Sequence, residues 1–487
     1  MARNETSPAP PPPPFADGDT RNRRKRVCYY YDPRISYMDY GENHVMVPHR
    51  ASMTHGLVQA YGLLADMDLL RVAPATEADL KLAHDDRYLA VLRTITPDTY
   101  KNDADARKQA QLCKLGAVCG AGCWTEDNDN PVIDDLWDHC RRYAGGSLAA
   151  ARALATGAYD VAINWSGGMH HARDGAAHGF CYVNDIVVAI KTLLGGGFAR
   201  VLYVDIDAHH GDGVQEKFLR ERRVMTVSFH QYDVATKFFP GTGAAEDCGG
   251  EQAGAAKYRA LNVPLEAGTG DERYHEMFGP IVERVMGVFR PDAVVLQCGA
   301  DSLAGDRIAG LRLTVRGHAR CVRLLRGYGL PLLLLGGGGY TINHVASCWC
   351  YETAVAIGKE IPDDIPQHWY QHYYKSQDYK LHYCLEAAAG RRKRSTTTTT
   401  EHMTKTKKTV MDHLKHLSED MTSRPDDDGE PPLPPRALHI NDVDALVDRS
   451  SKRSQDPMER LHRRCGEEDL DEFFVYLGKK LHKRNSS

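Results

Sequence analysis

The chain has 487 residues, 42% hydrophobic and 26% charged, with a formal net charge of −4. That length suits one long α/β domain or two to three ordinary ones, and the near-neutral balance argues against general nucleic-acid binding. No apolar run approaches bilayer length, and residues 1–20 lack the apolar core of a secretory signal, so neither membrane insertion nor secretion is expected.

In chain order, residues 1–23 read as a disordered Pro-rich tail (Pro10 to Pro14 is unbroken), closing on the basic cluster Arg21-Asn-Arg-Arg-Lys-Arg26. Gly146 to Gly157 reads as a helix. Asp160-Val-Ala-Ile-Asn-Trp165 is an apolar strand running into Ser166-Gly-Gly-Met-His170-His171. A helix is expected over Val183 to Leu194, closed by Gly195-Gly-Gly197. Arg200-Val-Leu-Tyr-Val204 is a second strand, followed by Asp205-Ile-Asp207-Ala-His209-His-Gly-Asp212. A helix over Asp271 to Phe289 precedes the strand Ala293-Val-Val-Leu-Gln-Cys298, which runs into Gly299-Ala-Asp301. A helix over Thr314 to Leu325 precedes the strand Pro331 to Leu335, which runs into Gly336-Gly-Gly-Gly339-Tyr340. Thr404 to Leu417 is a candidate last helix. Beyond it, Met458 to Leu481 has loose helical spacing and is read as a frayed tail helix.

Strands alternating with helices predict a single α/β domain with a central, mostly parallel sheet flanked by helices. The expected boundaries are 24–425 for the domain, with a core at 27–385, and 426–487 for a low-complexity tail. The thirteen cysteines are odd in number and unpaired in spacing, several in apolar runs (Cys298, Cys348, Cys350), as reduced core thiols would be. Cys113, Cys119 and Cys123 lie close together without a nearby histidine, so no zinc knuckle is expected there.

All four polar clusters lie just past the carboxyl end of a predicted parallel strand, where open α/β sheets place their ligand crevices. In an extended backbone Asp205, Asp207 and His209 share one face. Two carboxylates and an imidazole there make either an open metal site or a hydrogen-bonded polar corner.

Over residues 27 to 385 these motifs resemble the class I zinc-dependent histone deacetylases, on the arginase/deacetylase-like fold. The matching stretches are Tyr29-Tyr-Tyr-Asp32, Pro48-His-Arg50, Trp165 to His171, Gly179-Phe-Cys-Tyr-Val-Asn-Asp185, Asp205 to Asp212, Phe239-Pro-Gly-Thr-Gly243, Cys298 to Leu303 and Gly336 to Tyr340. The resemblance implies hydrolysis of N6-acetyl-lysine in histone tails, with zinc on Asp207, His209 and Asp301. It makes His170–Asp205 and His171–Asp212 two imidazole–carboxylate pairs, His171 the general base, and Tyr340 the donor to the oxyanion. It places Gly179, Phe180 and Phe239 on an acyl-lysine tunnel, with Ile308 and Asp129 at its rim. A monovalent-cation site, structural and taking K⁺, is implied around Asp205, Asp207, His209, Ser228 and Phe229.

The resemblance further implies a nuclear protein that represses transcription through chromatin with corepressor partners, and at least one of the basic clusters Arg21–Arg26 and Arg391–Arg394 is read as an import signal. Relatives in corepressor complexes use a basic pocket for an inositol phosphate. Here Arg307 is kept, but Val47, Asn343 and Ser347 stand at basic positions, so inositol phosphate binding is not expected. Three competing readings are a small-molecule amidohydrolase of the same fold (acetylpolyamine type), a binuclear-manganese ureohydrolase, and an inactive scaffold. A scaffold should have lost a ligand, a dyad histidine or the tyrosine, and none is lost.

Overall fold

The computed structural model describes residues 25–41, 44–116, 129–383 and 396–423. Several expectations fall outside them: the Pro-rich start, Cys119 and Cys123, the Arg391–Arg394 cluster and the tail from 426 onward.

Eight strands form one sheet: β1 Val27–Tyr30, β2 Asp68–Leu70, β3 Val161–Asn164, β4 Val201–Asp205, β5 Val224–Gln231, β6 Ala260–Leu265, β7 Ala293–Gln297 and β8 Leu332–Leu335. Their order is β2-β1-β3-β8-β7-β4-β5-β6, and every pairing is parallel. The four strands expected from sequence are β3, β8, β7 and β4, which are consecutive neighbours at the centre. Each is buried along its whole length and apolar up to its last residue, because helices cover both faces and a parallel strand so placed has no solvent side. Their carboxyl ends line up in register, Asn164 with Leu335 and Gln297 with both Leu335 and Asp205. The sheet therefore delivers all four polar clusters to one edge.

The helices largely match expectation. Asp271–Phe289 is as predicted, Val315–Gly327 starts behind the cap Thr314, and Asp185–Gly195 starts behind the cap Asn184. One differs: the helix expected from Gly146 begins at Leu136 and runs to Ala155. Gly145 and Gly146 are packing positions inside it, where a Cβ would strike the Ala73 carbonyl and the Asn164 side chain. The nine described cysteines are all free and buried, as reduced core thiols require. No helix among the described residues is long and apolar enough to cross a membrane.

The last helix is longer than expected, Thr396–Ser423. It buries Met403, Val410, Leu414 and Leu417 against the core, and its Asp420 pairs with the buried Arg259 at 3.3 Å. Each of those apolar side chains contributes about 1.5–3 kcal/mol by burial. A fragment ending at residue 395 should therefore melt about 10 °C or more below one ending at residue 425, or aggregate. Differential scanning calorimetry of the two fragments checks this, and equal melting temperatures would show that the helix is peripheral.

Candidate active site

The site is built on the central four strands. After β3 the chain turns through Ser166-Gly-Gly168 into Met169, His170 and His171. Asp185, fully buried, fixes that turn: its carboxylate accepts the Gly168 N–H at 2.9 Å and the Met169 N–H at 2.8 Å, and the Ser147 hydroxyl as well. Burial pushes its pKa up, against the donors that hold it charged. Asp185 lies in the motif Gly179 to Asp185, whose residue order alone gives it no role. The remaining signal was an acid opening an otherwise apolar helix.

Asp205, Asp207 and His209 do not share one face as first expected. β4 stops at Asp205, and beyond it the backbone bends through Asp207 to His209, so the two-residue alternation no longer applies. Asp205 turns to the histidine pair: its Oδ2 meets His170 Nδ1 at 2.8 Å and accepts the Tyr203 hydroxyl at 2.6 Å. Asp207 and His209 instead meet Asp301, delivered by β7. One ligating atom from each of the three lies within 4.8 Å of the others, and all three residues are buried. His209 Nδ1 is 3.0 Å from Asp301 Oδ2 and 3.2 Å from Asp207 Oδ1.

This donor set fits a zinc ion. Two carboxylates and one imidazole are ordinary zinc ligands, and three protein ligands leave a position for water. The electrostatics point the same way. Burial, then the Asp207 charge, push Asp301 up to about 7, while Asp301 and Asp207 outweigh burial to raise His209 to about 10. Two fully buried carboxylates this close call for a cation, and a metal meets that need.

The second imidazole–carboxylate pair is His171 Nδ1 to Asp212 Oδ1, 2.7 Å. Arg173 donates to the other Asp212 oxygen at 2.8 Å. The two histidine rings lie 3.9 Å apart. Burial opposes charge on both rings. For His170 the neighbouring Asp205 and Asp207 outweigh it and raise the pKa to about 9, while for His171 burial and then His170 lower it to about 3.

The tetraglycine run is a matter of close approach more than flexibility. A Cβ at Gly338 would strike the Asp301 carboxylate, and the Gly338 N–H donates to Asp207 Oδ2 at 2.8 Å. Gly337 and Gly339 have φ of 146° and 122°, which glycine adopts readily. The run is pinned by the buried Arg50, which donates to the Gly337 carbonyl at 2.5 Å and to that of Gly339, with its guanidinium over the Trp349 ring. Sequence reasoning missed this role, because Arg50 and Gly339 are 289 residues apart. It also missed Gln297, which donates to Asp207 Oδ2 at 2.8 Å, and Phe238, stacked on His209 at 4.9 Å.

Tyr340 is buried at the end of the run, its N–H on Asp306 Oδ2 at 2.8 Å. The Phe180 ring meets Tyr340 edge-on at 5.8 Å, and Phe239 meets His171 edge-on at 5.0 Å. Gly179 (φ 51°) lies between them, where a Cβ would crowd His171 and Phe239. Asp129 reaches this wall by accepting the Gly179 N–H at 3.2 Å. Ile308 is 38% exposed, on the loop turned by Asp306. Asp205 and Ser228, two of the candidate cation residues, are register partners on β4 and β5.

A family model for the histone deacetylase domain matches residues 44–356. Histone deacetylase 19 of Arabidopsis thaliana is 51% identical over 359 residues, 74% of this chain and 67% of that protein. Histone deacetylase 1 of Oryza sativa subsp. japonica is 51% identical over 359 residues (74% and 65%), and that of Homo sapiens 45% over 398 residues (82% and 77%). The family model takes in seven of the eight strands and every residue of the site, and the chain belongs to the class I histone deacetylase family, hydrolases that remove acetyl groups from lysine.

Proposed function

We propose that the chain hydrolyses N6-acetyl-lysine in histone tails with zinc held by Asp207, His209 and Asp301, and so represses transcription in the nucleus. The observation that carries this reading is the placing of two His–Asp pairs against the ligand trio: His170 Nε2 is 3.8 Å from Asp207 Oδ2, and the His171 ring lies 6.1 Å from that of His209. A binuclear ureohydrolase would spend additional aspartates and a histidine as ligands. Here Asp205 and Asp212 are occupied as partners of the imidazoles, which favours one metal per chain.

When bound, zinc supplies a Lewis acid for the acetyl carbonyl and lowers the pKa of a bound water. His171, neutral at working pH, takes the proton of the attacking water at Nε2 and returns it to the leaving amine, while Asp212 holds its Nδ1. His170, charged, stabilises the negative charge that develops nearby. Tyr340 donates its hydroxyl to the oxyanion. Gly179, Phe180 and Phe239 guide the apolar lysine stem, with Ile308 at the mouth and Asp129 accepting substrate backbone N–H groups. Asp205, Asp207, His209, Ser228 and Phe229 hold a structural K⁺.

The test is release of acetate from acetylated histone peptides, lost on chelation and restored by zinc. Turnover of acetylpolyamines far above that of the peptides would favour the small-molecule reading instead.

Corepressor proteins are the proposed partners, engaged without an inositol phosphate. At the expected basic positions Asn343 donates to Gln377 Oε1 at 2.9 Å, and Gln377 donates to the Ser347 hydroxyl at 3.0 Å, so a neutral network stands where cations were implied. Two charge-assisted contacts absent at about 1.5–3 kcal/mol each should weaken a polyanion severely. Calorimetry with inositol hexakisphosphate should show no tight binding to the 24–425 domain, and stoichiometric binding would overturn this.

A further inference from the structure

The helices Val315–Gly327 and Ile342–Ile357 bury a charged pair that none of the steps above uses. His318 Nδ1 lies 2.7 Å from Glu352 Oε1 and His318 Nε2 lies 2.9 Å from the Gly299 carbonyl oxygen, with both side chains fully buried. Both ring nitrogens face acceptors, an arrangement that suits a proton on each. Burial works against that charge, but Cys348 and Glu352 outweigh it and hold the pKa well above the usual range. The second Glu352 oxygen has no hydrogen-bond partner among the described residues. Such a pair is weak as a source of stability, because desolvation offsets most of its attraction.

What the pair does deliver is one donor to the segment that carries Asp301. That segment is held at each step. Trp349 Nε1 donates to the Cys298 carbonyl at 2.8 Å, the Gly299 N–H to Gln297 Oε1 at 2.8 Å, and the Ala300 N–H to the Gly338 carbonyl at 3.0 Å. Gly299 itself lies so close to Asp207 that a Cβ there would strike its carboxylate. The Gly299 carbonyl, which also accepts the Ser302 hydroxyl at 3.3 Å, is therefore the point nearest Asp301 at which the two helices hold the backbone after β7.

We propose that His318, oriented by Glu352, is a positioning residue of the metal site: it fixes the Gly299 carbonyl and with it the Asp301 carboxylate and the wall behind Asp207. This rests on Asp207, His209 and Asp301 being the zinc ligands. A rival use of the same side chains exists, since ligating atoms of His318, Cys348 and Glu352 also lie within 4.8 Å of one another.

The experiment measures zinc per full-length chain and the rate of zinc release to a chromogenic chelator. The wild-type chain should hold one zinc. Absence of zinc would sink the ligand assignment, and the proposal with it. A second zinc lost on Cys348→Ser would make the triad a metal site and overturn the proposal alone. In the double variant His318→Phe/Glu352→Leu both partners become apolar, so the fold should be kept. Zinc should then leave at least about 10-fold faster, with the metal-free melting temperature unchanged. Release at the wild-type rate from that folded variant overturns the proposal. Should the double variant not fold, Glu352→Ala is set against Glu352→Gln, whose amide still holds the ring. Faster release from the alanine variant supports the clamp, and equal rates from the two refute it.

Discussion

Asp301→Ala should give a folded protein that no longer retains zinc. Asp301 is fully buried, with Oδ1 accepting the Ala208 N–H at 2.7 Å and Oδ2 lying 3.0 Å from His209 Nδ1. Its loss removes one of three ligands and also frees the backbone that presents His209. Loss of an outer partner alone typically weakens a metal about 10–100-fold, so loss of a ligand together with such a partner should exceed that. The strain of two close carboxylates also falls, so the metal-free protein should melt no lower than metal-free wild type. Elemental analysis after desalting, with circular dichroism as the control for folding, checks the prediction. Retained stoichiometric zinc with full turnover would remove Asp301 from the site.

Tyr340→Phe should have the opposite signature, with zinc kept and turnover lost. Burial, then the charges of Asp301 and Asp207, hold the Tyr340 hydroxyl well above its ordinary pKa, so it remains a proton-bearing donor throughout the working range. One oxyanion donor is worth about 2.7–4 kcal/mol, or roughly 10²–10³ in kcat. The ring, its contact with Phe180 and the backbone bond to Asp306 all survive the substitution. KM and the melting temperature should therefore change little while kcat falls. Steady-state kinetics on an acetyl-lysine peptide decides it, and wild-type kcat would exclude the tyrosine.

Much of this site was legible in the chain because its pieces are local. β3, β4, β7 and β8 are short runs of apolar residues each ending in a polar cluster, and a buried parallel strand needs only that pattern. The outer strands were harder. β2 is three residues long and half exposed, and β5 merges into the polar segment that follows it. The helix Ile342–Ile357 is buried nearly all round, so it has no polar face from which to read a period.

Consecutive residues determined the sheet core, the strand ends and the identity of the ligating groups, because hydrophobic period and side-chain chemistry are carried within a few positions. Local pattern left open which acid serves which partner; the family resemblance implied it, and only the tertiary structure gives the physical reason. Asp205 and Asp207 are two residues apart, yet one orients His170 and the other lies in the metal cluster, since the strand ends between them. Arg50 on the tetraglycine run, Asp185 under the histidine turn and His318 on Gly299 are contacts across 289, 17 and 19 residues. No local pattern encodes them, because each exists only once packing has brought two distant backbones within hydrogen-bonding reach.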